Sequence, residues 1–202
     1  MKRITLALLA GVLILPLIFF ASFRKHNGKP AAVSTADTLK FRSLLILRHA
    51  KSDHSGDDSD DFDRPLSDEG VKEAEETGEF MKAHEKWIDL IVASPSVRTR
   101  QTIQIICKKA GYDFKSVVWD SSLYQCNVNH FIQQVRKVND DYHTVLFVGH
   151  NSAITGVVNK LQSAQHFDEI KTCGLVDLYY ADAHWADTGT QNAVLSYYHK
   201  PK

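Results

Sequence analysis

Leu44-Leu45-Ile46-Leu47-Arg48-His49 is a four-residue apolar run closed by a cation and an imidazole. It is too short for a helix and reads as a buried β-strand. Downstream, residues 53–63 hold six aspartates and read as a solvated loop. Ser67, followed by Asp68 and Glu69, marks a helix start, and Val71, Ala74, Gly78 and Met81 recur at helical spacing. Residues 88–93 read as a second strand. A helix-like stretch covers about 97–109 and stops before Gly111, and residues 117–119 form a short strand. Residues 128–138 look helical. Residues 144–148 (TVLFV) are the clearest β segment; Gly149 breaks it and a helix over about 152–161 follows. Residues 174–181 and 192–199, rich in β-branched and aromatic side chains, read as two closing strands. Strands alternating with helices predict an α/β fold: a three-layer α/β/α sandwich with a mostly parallel central sheet.

The apolar fraction of 44% suffices for one core, and the roughly 160 residues left after an N-terminal segment suit one domain. The formal net charge is zero, and no Lys/Arg cluster offers a stripe for nucleic acid. Cys107, Cys126 and Cys173 lack zinc-site spacing and allow at most one disulfide; they read as small hydrophobes.

Residues 1–23 form a separate unit. Lys2 and Arg3 precede an uncharged apolar run over 4–23, which Arg24 and Lys25 stop. Twenty helical residues reach about 30 Å, enough to cross a bilayer. An anchor and a cleavable signal peptide both fit; Phe19, Phe20 and Phe23 spoil the nearest cleavage sites and favour the anchor. The expected localisation is therefore the membrane, on an undetermined side, or export if the segment is cleaved. Residues 24–40 read as a linker and 41–202 as the folded domain.

In such a sheet, ligands bind beyond the carboxyl ends of the strands. There the chain places Arg48-His49, then Ser94-Pro95 with Arg98 and Arg100 on the next helical turn, then Gly149-His150-Asn151. None of these ends brings a carboxylate at its first two positions, so the edge reads as a cationic pocket for a dianion. Arginine forks suit phosphoryl oxygens, neutral imidazole is a competent nucleophile, and a helix starting near Asn151 would aim N–H groups at an anion. The scheme needs no metal or other cofactor. The acid-rich loop lacks the EF-hand ligand order, so Ca²⁺ is not expected there.

Four blocks then carry a resemblance: Leu47-Arg48-His49-Ala50, Asp63-Arg64-Pro65-Leu66-Ser67 with Gly70, Ser94-Pro95-Ser96-Val97-Arg98-Thr99-Arg100-Gln101-Thr102, and Val148-Gly149-His150-Asn151. In order and spacing they resemble the histidine phosphatase superfamily, whose fold is phosphoglycerate mutase-like. Arg48-His49-Ala50-Lys51-Ser52 is similar to the small bacterial phosphohistidine phosphatases of the SixA type, although many relatives have Gly where Ala50 stands. The resemblance implies that His49 attacks phosphorus and becomes a phosphohistidine. Arg48, Arg98 and His150 would hold the phosphoryl oxygens, with Asn151 beside them, and water would release phosphate.

One departure stands out. Many relatives carry a glutamate that protonates the leaving oxygen, and the matching stretch here, Leu123-Tyr124-Gln125-Cys126, has Gln125. Asp53 and Asp63 are the substitutes that the sequence offers. A phosphoramidate tolerates weak acid catalysis better than an alkyl ester, so the expected substrate is phosphohistidine or another small activated phosphate. Two alternatives stand beside it: an envelope phosphatase for a sugar or glycolipid phosphate, and a non-catalytic phosphate-binding pseudo-phosphatase. A mutase fits poorly, since returning phosphate also calls for the acid. Arg100 reads as a surface residue, and His54 has a lesser claim on the site because it lies near His49.

Overall fold

The computed structural model describes residues 41–55, 61–84, 87–181 and 184–202. The anchor or signal segment and the linker read over 1–40 lie outside these residues. No helix among the described residues is long and apolar enough to cross a membrane.

The chain runs β1 (Arg42–Arg48), α1 (Asp68–Ala83), β2 (Leu90–Ala93), α2 (Val97–Ala110), β3 (Val118–Trp119), α3 (Val128–Arg136), β4 (Thr144–Gly149), α4 (Ala153–Leu161), β5 (Leu175–Tyr180) and β6 (Val194–His199). Among the described residues the strands form one sheet in the order β3-β2-β4-β1-β5-β6. β1, β2, β3 and β4 pair in parallel, while β5 and β6 return antiparallel. β1 sits inside the sheet and is covered on both faces, which is why its sequence is apolar without alternation. Leu44 and Ile46 join a core with Phe131 and Val135 of α3 and Ile154 and Val158 of α4. Leu45 and Leu47 join the opposite core, with Ala74 and Met81 of α1 and Ile103 and Ile106 of α2. These are the three layers read from the sequence.

Local chemistry sets the helix ends. The Ser67 hydroxyl caps α1 by accepting from Gly70 N at 3.1 Å. Gly111, left-handed at φ 86°, closes α2. Gly70 is required by close approach: a Cβ there would lie 2.0 Å from Lys51 O. That carbonyl also accepts from Ser67 N, so the start of α1 is seated on the loop that follows His49. Gly149 is the last residue of β4 and not a break before the strand's end, because it still pairs opposite Arg48.

At the opposite end of the sheet, Arg42 is 1% exposed. It donates to Asp140 O at 3.0 Å and Tyr142 O at 2.8 Å, pairs with the Asp140 carboxylate at 3.1 Å, and lies 5.4 Å over the Trp185 ring. This cluster ties the start of β1 to the turn before β4 and to the loop before β6.

Candidate active site

Register brings the functional side chains together. Arg48 lies opposite Gly149 across β1 and β4, and Ala93 lies opposite Val148 across β2 and β4. Three strands therefore stop at one level. The following backbone extends the pairing: His49 N donates to Gly149 O, and Ser94 N to Val148 O, both at 3.1 Å. Two residues of α2 fasten the loops. Thr102 Oγ1 accepts from Ala50 N at 3.0 Å and donates to Arg98 O at 2.7 Å, and Gln101 Oε1 accepts from Leu66 N at 2.7 Å. The Arg-Gln-Thr stretch thus supplies one fork for the cleft and two pins for its walls.

The result is a cleft of ≈ 410 Å³ lined by Arg48, His49, Asp61, Arg98, Gln125 and His150, with Asn151 and His54 also on its wall. The rings of His49 and His150 lie 4.9 Å apart. Their residues are 9% and 8% exposed, desolvated yet open to the cleft.

Hydrogen bonds fix both tautomers. His49 Nδ1 stands 2.7 Å from Ala50 O, a group that can only accept, so Nδ1 carries the proton. His49 Nε2 then holds a lone pair, and it accepts from Arg98 Nε at 3.3 Å. His150 Nδ1 likewise accepts from the Arg98 guanidinium at 3.3 Å, leaving Nε2–H to donate to Ser94 Oγ at 2.8 Å. Burial, then the neighbouring His150, Arg98 and Arg48, push the His49 imidazole down to about 3. Burial followed by Arg98 pushes His150 down to about 4. Both rings are therefore neutral at pH 7.

Arg48 donates to Glu169 Oε1 at 2.8 Å and Ile170 O at 2.7 Å, while its buried Nε has no hydrogen-bond partner among the described residues. Asn151 donates to Ile170 O at 3.1 Å and accepts from Thr155 N at 3.2 Å, so its amide braces the first turn of α4. Among the described residues no group of three or more His, Cys, Asp or Glu converges to hold a metal ion.

The substitutes for the missing acid are placed elsewhere. Asp53 accepts from Ser55 N at 2.9 Å, and that backbone bond lowers its carboxyl. Neither Asp53 nor Asp63 lines the cleft. Asp61 does, and it corrects the expectation of a purely cationic edge. Its carboxylate meets Arg98 at 2.9 Å, accepts from Tyr124 Oη at 2.7 Å and pairs with Arg64. Burial would raise the Asp61 carboxyl, but Tyr124, Arg98 and Arg64 together hold it below the usual range. Ser94, which the sequence shows only as part of a motif, orients His150 through its hydroxyl. His54 reaches Arg64 at 3.1 Å, at the rim. Arg100 faces away and stacks 4.2 Å over Trp119.

The depressed imidazole carries a linkage. In the unfolded chain His49 titrates near 6.5, but in the fold only near 3. Between these values the unfolded state binds more protons, so the stability associated with the neutral ring is full above pH 6.5 and is lost as pH falls toward 3. We expect the Tm of His49→Ala to gain on that of the wild type as pH drops from 7 to 4 in thermal melts. A difference independent of pH would mean that the ring titrates normally.

The comparisons with known proteins agree with this geometry. The profile of the histidine phosphatase superfamily (branch 1) matches residues 44–128. An uncharacterized protein of Mycobacterium tuberculosis is 30% identical over 165 residues, covering 77% of this chain and 100% of its own length. The mitochondrial serine/threonine-protein phosphatase Pgam5 of Drosophila yakuba is 37% identical over 95 residues, which is 46% of this chain and 32% of that protein. A solved structure assigned as the phosphohistidine phosphatase SixA of Nakamurella multipartitia is similar at TM-score 0.66 and 27% identity, over 80% of this chain and 96% of that one.

Proposed function

The chain belongs to the histidine phosphatase superfamily, and from that premise we propose that it hydrolyses phosphohistidine, or a similarly activated small phosphate, through a phosphoenzyme on His49. The observation that carries the reading is the lone pair of His49 Nε2. It is held deprotonated by its own tautomer, it faces an open cleft, and Arg98 Nε stands 3.3 Å from it.

The proposed reaction has two displacements. Nε2 forms a bond to phosphorus as the bond to the leaving atom breaks. Water then attacks phosphorus, and the electron pair of the P–N bond returns to Nε2. Throughout, Nδ1–H stays on Ala50 O. The phosphoryl oxygens gain fixed charge from Arg98 and Arg48, including the Arg48 Nε that has no hydrogen-bond partner among the described residues. A dianion between the rings also reverses the penalty on His150, which can then take up a proton and donate a charge-assisted hydrogen bond.

The substrate preference follows from the leaving group. Gln125, on the wall of the cleft, has no acidic proton to give. The imidazole of phosphohistidine accepts a proton far more readily than an alkoxide departs. The likeness to the SixA-assigned protein supports the same class. Steady-state kcat/KM should favour phosphohistidine over glucose 6-phosphate, because an alkoxide leaves only with a proton delivered in the transition state. Preference for the sugar phosphate would overturn this substrate class.

A further inference from the structure

We propose that Asp61 is the proton donor to the leaving atom when the substrate is a phosphoester, and that the resting site stores it on Arg98 until a phosphoryl group takes its place. This rests on the phosphatase reading above and assigns a role that neither Asp53 nor Asp63 can fill from its position.

Three observations converge on it. Among the described residues, Asp61 is the one carboxylate that lines the cleft. It occupies the group meant for substrate: Arg98 donates to its carbonyl oxygen, and the Arg98 terminal nitrogen reaches its Oδ2 at 2.9 Å. It also has an independent mount at the rim, since Arg64 holds Oδ1 and Tyr124 Oη holds Oδ2. A phosphoryl group displacing Asp61 from Arg98 therefore leaves the carboxyl beside the substrate. On the guanidinium, His49 Nε2 stands at Nε and the Asp61 carboxylate at a terminal nitrogen. A phosphoryl group lying between them has the nucleophile on one flank and the carboxyl on another.

The same exchange sets the protonation state. In the resting site the groups facing Asp61 are Arg98 from α2, Arg64 from its own turn, Tyr124 from the segment after β3 and neutral His150 from the end of β4. Gln125 reaches the Tyr124 hydroxyl at 3.4 Å, and His54 stands behind Arg64. Substrate removes the Arg98 contacts and adds negative charge, and both changes favour the protonated carboxyl, with the proton drawn from solvent. As Nε2 bonds to phosphorus, the electron pair of the broken P–O bond stays on the leaving oxygen, which takes the Asp61 proton. In the second step the Asp61 carboxylate takes a proton from the attacking water. The product is hydrogen phosphate, and the acid is restored.

The test is the leaving-group dependence of kcat/KM in the full chain, with p-nitrophenyl phosphate and phenyl phosphate as probes. Asp61→Asn should lose about 10²-fold on phenyl phosphate, the poorer leaving group, and a much smaller factor on p-nitrophenyl phosphate. The acid limb and the basic limb of the phenyl phosphate profile should also change shape, and Asp61→Glu should restore part of the loss. A structural role would lower both esters equally, and a purely self-inhibitory role would raise both; either result overturns the assignment. Wild-type protein that hydrolyses phosphohistidine but neither ester overturns the assignment alone, and wild-type protein that hydrolyses none of the three overturns the phosphatase reading with it.

Discussion

His49→Ala is expected to lower kcat/KM by on the order of 10⁵-fold or more, the scale on which loss of a covalent nucleophile is felt, and to abolish any trapped phosphoenzyme. The size follows from what the substitution leaves behind. Arg48, Arg98, His150 and Ser94 do not depend on the ring for their place: Arg48 is held by Glu169 and Ile170, Arg98 by Asp61, and His150 by Ser94. The variant should therefore still bind inorganic phosphate while failing to turn over substrate. Rapid quenching followed by peptide mass analysis reads both arms. Wild-type peptide containing His49 should gain one phosphoryl group that is lost in acid, and the variant should gain none. A phosphoryl group on another residue, or turnover surviving in the variant, would sink the covalent step.

Arg42→Ala should destabilise the fold strongly although it lies at the end of the sheet away from the site. Arg42 is almost completely enclosed, and its loss takes donors from Asp140 O and Tyr142 O, although Trp185 Nε1 still serves Tyr142 O at 2.8 Å. Asp140 keeps the Trp185 backbone N–H at 2.8 Å, and its side chain is 41% exposed, so little of the cost is a stranded charge. What remains is a cavity against the Trp185 ring and an unserved carbonyl, together about 2–4 kcal/mol. For a domain of this size that is a Tm drop of roughly 5–15 °C. Arg42→Met, which fills most of the space without the donors, should recover part of the drop in calorimetry. Equal melting of wild type and Arg42→Ala would mean that the buried cluster contributes nothing.

The layers of the fold were legible because the strands announce themselves. Residues 44–47 and 144–148 carry no polar interruption, and parallel partners buried on both faces need none. Helix limits were readable from Ser67 and Gly111, whose chemistry acts within one turn. The candidate site was legible at strand ends: Arg48 closes β1, His49 and His150 follow β1 and β4 directly, and Arg98 is on the first turn of α2. Asp61 was hidden for a physical reason. It lies in a run of like residues, and what distinguishes it is a contact to Arg98 and Tyr124 that only tertiary structure creates. Its spacing of three from Arg64 is the one local sign, and an exposed ion pair would show the same spacing. Ser94 was hidden in the same way, because its value lies in the ring it orients and not in its neighbours.

The placement of β1 also bears on how the chain is made. Leu45 pairs with Leu146 on one side and Asp177 on the other, and both leave the ribosome long after it does. An apolar strand destined for the middle of the sheet must therefore wait for its β4 partner while about 100 more residues are made. The nascent protein is exposed to misassociation for that whole interval.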